Sequence, residues 1–197
     1  MAPGLSPLRV EKAAADHWAA VLLGLRKLSD DPYMSGPVGE EVTRLAKLAA
    51  GAAHVKFSIG ERHGGVTLLL DGLKMTDRIR NASPSLSSRC ETTILQTFSR
   101  GLDAIPLLEC DRVRASLDPI LLNPSLSRKE RSQLALLRLH MRIEAYRWKH
   151  LNAPGLLAEA APATEIEDPA TKRPFKLEIT TAGYRLQSEE FGPLGTD

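Results

Sequence analysis

Aromatic residues make up only 5 % of this 197-residue chain, so its core has to be assembled from Leu, Ala, Val and Ile. Cysteine is nearly absent. Cys90 and Cys110 either pair, which needs Cα atoms within about 7 Å, or stay free in the core. No further ligand lies at metal spacing beside them. Charge of one sign is lacking too: 26 Lys and Arg against 24 Asp and Glu leave a formal net charge of +2. The signs alternate along the chain, the pattern of a solvated surface, which argues against a nucleic-acid partner. No apolar run approaches the roughly 18 residues of a membrane span. The opening MAPGLSPLRVEKAAADHW has no compact apolar core with a cleavage site, so a signal peptide is not expected. Two settings remain: extracytoplasmic or periplasmic if the chain is a piece of a longer protein, otherwise cytoplasmic.

Recognisable catalytic chemistry is also missing. There is no phosphate-cradling Gly-Lys-Ser/Thr loop, no Gly-x-Gly-x-x-Gly and no Gly-x-Ser-x-Gly elbow. His17, His54, His63, His140 and His150 are scattered, with no pair at i, i+4. No catalytic residue, cofactor or metal is therefore assigned. The most suggestive polar cluster is Glu61-Arg62-His63 beside Gly64 and Gly65. It reads either as a polar turn or as part of a ligand-binding loop. Glu165, Glu167 and Asp168 read as an acidic turn.

What the chain has is helix. Residues 1–7 read as a loose leader. Trp18, Val21, Leu22, Leu25 and Leu28 recur at helical spacing and predict a helix over about Leu8 to Leu28. Residues 29–39 carry the Pro, Gly, Ser and Asp of a loop. A second helix is expected from about Glu40 to His54, its stripe formed by Val42, Leu45, Leu48, Ala49 and Ala52. Its Ala-rich face suits close helix packing or docking of a partner. Residues 55–70 are ambiguous: VKFSI alternates like a strand, whereas VTLLLDGLKMTDRIRNA favours a helix from about Gly65 to Arg80. NASPSLSS reads as a loop. ETTILQTFSRGLDAIPLL is a helix broken at Pro106, and CDRVRASLDPIL a short one ending before Pro119.

The best-marked helix begins at Ser127, where Ser127-Arg-Lys-Glu130 fits a capping box. No Gly or Pro follows before His150. Leu134, Leu137, Met141, Ala145 and Trp148 form one stripe; Leu136, Leu139, Ile143 and Tyr146 form a second, nearly opposite. Two stripes imply a helix between two packing partners. Arg138, Arg142 and Lys149 fill one gap, His140, Glu144 and Arg147 the other, both read as boundary or solvent positions. Phe175, Leu177 and Ile179 then alternate with polar residues, turn at Thr181-Ala182-Gly183, and alternate back through Tyr184 and Leu186. This is a β-hairpin with one apolar face, and the second stripe is its expected partner.

The order of these last segments, AYRWKHLNAPGLLAEA, DPATKRPF and GYRLQSEEFGPLG, resembles the C-terminal part of type II secretion major pseudopilins and related pilin-like bacterial proteins. Tyr146, Pro154, Leu157, Asp168, Pro169, Pro174, Phe175, Tyr184, Ser188, Gly192 and Gly195 stand at corresponding positions. The resemblance covers the last third of the chain. It implies a small antiparallel sheet and an extracytoplasmic setting. In that family the final loop holds calcium through acidic residues; here Glu189, Glu190 and Asp197 are the candidates, against the six to eight oxygens calcium takes. The family's hydrophobic N-terminal helix, which builds the filament, has no counterpart, nor has the family an equivalent of residues 1–125.

The expected fold is mainly α: a multi-helix bundle with a small C-terminal antiparallel β-hairpin or sheet on the long helix. Residues 1–125 form a helical region and 126–197 the long helix with its tail, together one compact unit. The expected function is a non-enzymatic binding or structural module of a bacterial envelope-associated, pilin-like protein, with another protein or a second copy of itself as partner. The alternative is a cytoplasmic enzyme or small-ligand-binding protein, its cleft between bundle and hairpin near Glu61, Arg62 and His63. Glu189 and Glu190 are the other candidate interaction residues.

Overall fold

The computed structural model describes residues 40–181 and 183–196. The helix expected over 8–28, the loop over 29–39 and the acidic candidate Asp197 lie outside the described residues. The architecture is mainly helical, with a small antiparallel sheet at the C-terminus. Four helices come first: α1 (Glu40–Ser58), α2 (Arg62–Ile79), α3 (Pro84–Gly101) and, after a 3-10 turn at Leu102–Ala104, α4 (Leu107–Leu121). The long α5 (Arg128–His150) follows, then two single turns, α6 (Leu157–Ala160) and α7 (Ala163–Ile166). Strands β1 (Lys176–Thr180), β2 (Gly183–Ser188) and β3 (Gly192–Pro193) complete the fold. No helix among the described residues is long and apolar enough to cross a membrane.

Helix α1 takes in the first four residues of VKFSI, to Ser58, so the strand alternative fails there. Its buried stripe is Val42, Ala46, Ala49 and Ala53, shifted towards the alanines, while Leu45 lies at the edge. The small side chains allow α1 to pack against both α2 and α3. Phe57 explains why the continuation is helical. Its ring lies against Gly65 of α2 and Gly101 of α3, where a Cβ would meet ring atoms at 2.9 and 3.0 Å. A glycine at each helix end makes room for one of the chain's few rings.

Two expected boundaries are corrected by proline chemistry. NASPSLSS is not a loop throughout: Ser83 is the N-cap and Pro84 opens α3, because the first helical turn needs no N–H from proline. Helix α4 does not stop before Pro119 but carries it in its last turn. The carbonyl that loses its partner is that of Ala115, an exposed residue open to solvent, and buried Ile120 rewards the extra turn. The break near Pro106 is observed, with Ile105 extended and Pro106 capping α4.

Helix α5 begins with both halves of the expected capping box. Glu130 N–H donates to Ser127 Oγ at 3.3 Å and Ser127 N–H to Glu130 Oε2 at 2.8 Å. Both leucine stripes are buried, but so are His140 and Glu144 between them. The spine is therefore enclosed on nearly all sides from Ser132 to Ala145. Helix α4 packs on it, and so does β2, whose Tyr184 bonds His140 and whose Ser188 shares Asp168 with Ser132. Trp148 corrects the sequence reading as well: it is 46 % exposed, and its indole N–H donates to Ile105 O at 2.8 Å.

The sheet order is β1-β2-β3, all antiparallel, with Leu177 opposite Leu186 and Ile179 opposite Tyr184. Thr180 pairs with Gly183. Only the base of the hairpin is core: Phe175 and Leu186 are buried, whereas Ile179 is exposed, so the apolar face does not extend to the tip. Two polar clamps fix the tail. Asp168, in the expected acidic turn, is buried and accepts from Ser132 Oγ (2.8 Å), Ser188 Oγ (2.7 Å) and Ala170 N (2.9 Å). Gln133 donates to the carbonyls of Phe191 and Pro193 and accepts from Gly195 N at 2.7 Å.

Gly195 has a φ of +77°, and a Cβ there would lie 2.7 Å from the Gln96 backbone nitrogen of α3. Gly195→Ala thus combines left-handed strain with a backbone clash, each of order 1–3 kcal/mol. A loss of about 2–3 kcal/mol is expected in urea unfolding, as a lower midpoint at unchanged slope. A midpoint equal to wild type would mean that the C-terminal loop is not seated on α3.

Candidate functional site

The residues singled out in the sequence take structural places. Arg62, His63 and Gly64 form the first turn of α2 rather than a flexible loop. Glu61 precedes it and pairs with Lys56 across the α1–α2 turn. His63 Nδ1 lies 2.7 Å from Glu109 Oε1, and Arg112 donates to the same carboxylate (2.9 Å) and to Thr67 Oγ1 (2.8 Å). This cluster latches α2 to α4. The His63 side chain is 75 % exposed and lines none of the clefts described below. Glu189 is held by Arg173 (2.8 Å) and Lys176 (3.3 Å), and Glu190 by Arg128 (3.0 Å). Among the described residues no group of three or more His, Cys, Asp or Glu side chains could hold a metal ion. Cys90 and Cys110 are both free and buried; burial pushes the Cys110 thiol up to about 12, so neither is a ready nucleophile.

A cleft between bundle and sheet does exist, but other residues build it. It encloses about 210 Å³ and is lined by Ser99, Asp103, His140, Tyr184, Arg185 and Leu194, among others. On the far side of Asp103 lies a second depression of about 240 Å³, formed with Glu144, Arg147, Trp148 and Leu151. A continuous polar chain joins the two. Arg147 binds Asp103 (2.9 Å) and both oxygens of Glu144 (2.9 and 3.0 Å). Tyr184 Oη donates to Glu144 Oε1 at 2.8 Å. The phenol has one proton, so His140 Nδ1–H, at 2.9 Å, is the donor to Tyr184 Oη. The Arg147 guanidinium also sits 5.7 Å from the Tyr184 ring centre, within cation–π range.

This hydrogen-bond order fixes the tautomer of His140. Nδ1 carries the proton, and the Nε2 lone pair has no partner among the described residues. Burial pushes the His140 imidazole down to about 3, against a smaller upward pull from Asp103. Burial raises the Glu144 carboxyl, although Tyr184 and Arg147 bonds oppose it. Burial, followed by the negative charge of Glu144, holds the Tyr184 phenol well above its usual value. The site therefore presents a neutral ring acceptor, a carboxylate at Asp103 and a fixed guanidinium. It suits a small ligand carrying hydrogen-bond donors.

Sequence reasoning missed His140, Glu144 and Tyr184 as a unit because 40 residues separate the tyrosine from the glutamate. One signal was present: His140, Glu144 and Arg147 recur at i, i+4, i+7 on a helix with apolar stripes on both sides. A third polar stripe on such a helix has few solvent-facing directions left. No protein-family model, curated protein or solved structure matches this chain.

Proposed function

We propose that this chain is a non-enzymatic binding module that takes a small, donor-bearing ligand in the cleft between the helical bundle and the C-terminal sheet. The observation that carries the reading is His140. An imidazole held at about 3 is neutral across the physiological range and far from the value that suits proton transfer near pH 7. It serves as a fixed acceptor. Tyr184 and Glu144 are consumed by the same chain of bonds. The sequence resemblance supports placing the module in a bacterial envelope-associated, pilin-like protein. The tail has the expected order of long helix, Asp168-Pro169 turn and antiparallel sheet. Helix α5 is enclosed by its own chain, which favours binding over assembly into a filament.

A thermal-shift screen of small metabolites tests this. A compound at 100 times its Kd adds about 2.7 kcal/mol, a rise of roughly 5–10 °C for a chain of this size. The expected result is a hit on wild type that His140→Gln does not show, with no new product by NMR. Hits that shift both proteins equally would remove the cleft from the reading, and turnover of the hit would remove the word non-enzymatic.

A further inference from the structure

A different concavity carries a binding site of opposite character. Between α1 and α3 lies a groove of about 440 Å³ that shares no lining residue with the cleft at His140. Three cations reach it from three helices: Lys47 of α1, Arg89 of α3 and Lys129 of α5. Among the described residues no carboxylate lines it. The local charge of +3 exceeds the formal +2 of the whole chain, so overall balance conceals a concentrated positive field. A concave surface of one sign focuses such a field.

The pattern SSRCETT, residues 87–93, creates this surface. Ser87, Cys90 and Glu91 turn inward and are buried, which leaves Ser88, Arg89 and Thr92 on the groove side. Elsewhere on the molecule cations such as Arg80, Arg142 and Arg147 are tied to carboxylates. Lys47, Arg89 and Lys129 have no ion-pair partner among the described residues, and the hydroxyls of Ser88 and Thr92 no hydrogen-bond partner. The groove gathers three cations with neutral hydroxyl and amide groups, the latter able to donate as well as accept.

We propose that this groove binds a small non-aromatic phosphorylated anion. Three cations and two hydroxyls match the several oxygens and the double or higher charge of a phosphate ester or a diphosphate. The volume lies within the range of small-molecule sites. Among the described residues no aromatic side chain lines the groove, so they offer no platform for a nucleobase, which favours a non-aromatic anion over single-stranded nucleic acid. Among the described residues no Leu, Ile, Val, Met or Phe side chain lines the groove to hold an acyl chain. The site is independent of the cleft reading.

Calorimetric titration with inorganic pyrophosphate and with glycerol 3-phosphate at 0.15 M salt tests the proposal. Citrate serves as the carboxylate control, and vesicles of phosphatidylcholine with phosphatidic acid as the headgroup control. Saturable one-site binding of a phosphate compound is expected. Lys47→Gln and Arg89→Gln should each weaken it at least tenfold at unchanged Tm, whereas Arg44→Gln, on α1 but outside the groove, should not. Four results would overturn the proposal: no saturable binding of either phosphate, equal binding of citrate, equal weakening by Arg44→Gln, or Arg89-dependent sedimentation with vesicles without binding of the soluble compounds.

Discussion

Replacing Arg80 with methionine is expected to destabilise the protein by about 3–5 kcal/mol, the scale for removing one partner of a buried ion pair. Arg80 follows α2 and is 1 % exposed. It donates to Glu91 Oε2 of α3 at 2.6 Å and to Glu130 Oε1 of α5. One guanidinium thus joins three helices, and the other oxygen of Glu130 closes the capping box. Without the cation, two buried carboxylates face each other uncompensated. Burial already pushes the Glu91 carboxyl up to about 7 despite Arg80. In the variant its escape is to take up a proton, so the loss should be larger at pH 8 than at pH 5.5. Denaturant unfolding at the two pH values measures both effects. Arg80→Met with Glu91→Leu should recover much of the loss, since a matched apolar replacement avoids the stranded charge. A single-variant loss below about 1 kcal/mol at pH 8, on the scale of an exposed pair, would show that the triad contributes little.

The second large effect concerns acid. His140 has its ordinary value of 6.5 when unfolded and about 3 when folded. The unfolded chain therefore binds more protons between those values, and stability falls as pH drops from about 6.5 to 3. The gap corresponds to about 5 kcal/mol when fully developed. Glu91 works in the opposite direction. Its folded carboxyl lies at about 7 against 4.5, so its penalty, about 3 kcal/mol, grows as pH rises from 4.5 to 7. The two slopes largely offset one another between pH 4.5 and 6.5. Below 4.5 the Glu91 contribution is flat and that of His140 continues. The groups around the ring are Asp103, Glu144, Arg147 and Tyr184. Of these only Asp103 supplies a charge that favours the imidazolium. Wild type should show a shallow profile from pH 6.5 to 4.5 and a steep decline from 4.5 to 3. His140→Gln, whatever its stability at pH 7, should flatten that decline. An acid limb of equal slope in both proteins would mean that His140 is protonated in the folded state.

Much of the fold was legible because its signals are local. The capping box at Ser127, the unbroken run to His150 and the alternation from Phe175 to Leu186 each depend on neighbours a few residues apart. The misread boundaries had the opposite cause. Pro84 opens a helix because the first turn needs no N–H from it, and Pro119 sits inside one because the carbonyl it leaves unpaired, that of Ala115, lies at the surface. The helix expected from about Gly65 begins earlier, at Arg62, and glycine suits positions 64 and 65 because the side chains of Lys56 and Phe57 occupy the space a Cβ would need.

The candidate sites were less legible. Glu61, Arg62, His63, Glu189 and Glu190 drew notice as polar clusters in sequence, and each is either exposed or held near surface partners. The groups with altered chemistry are elsewhere, and they are inside. Residue order alone determined a helix-rich chain around one long spine with a β-hairpin after it, since hydrogen-bonded local structure follows local patterns. Only the tertiary structure decided that Arg80 meets Glu91 and Glu130, that Tyr184 lands on His140, and that cations of three helices line one groove. Charge and proton affinity at those places depend on distance and burial, which residues far apart in the chain settle together.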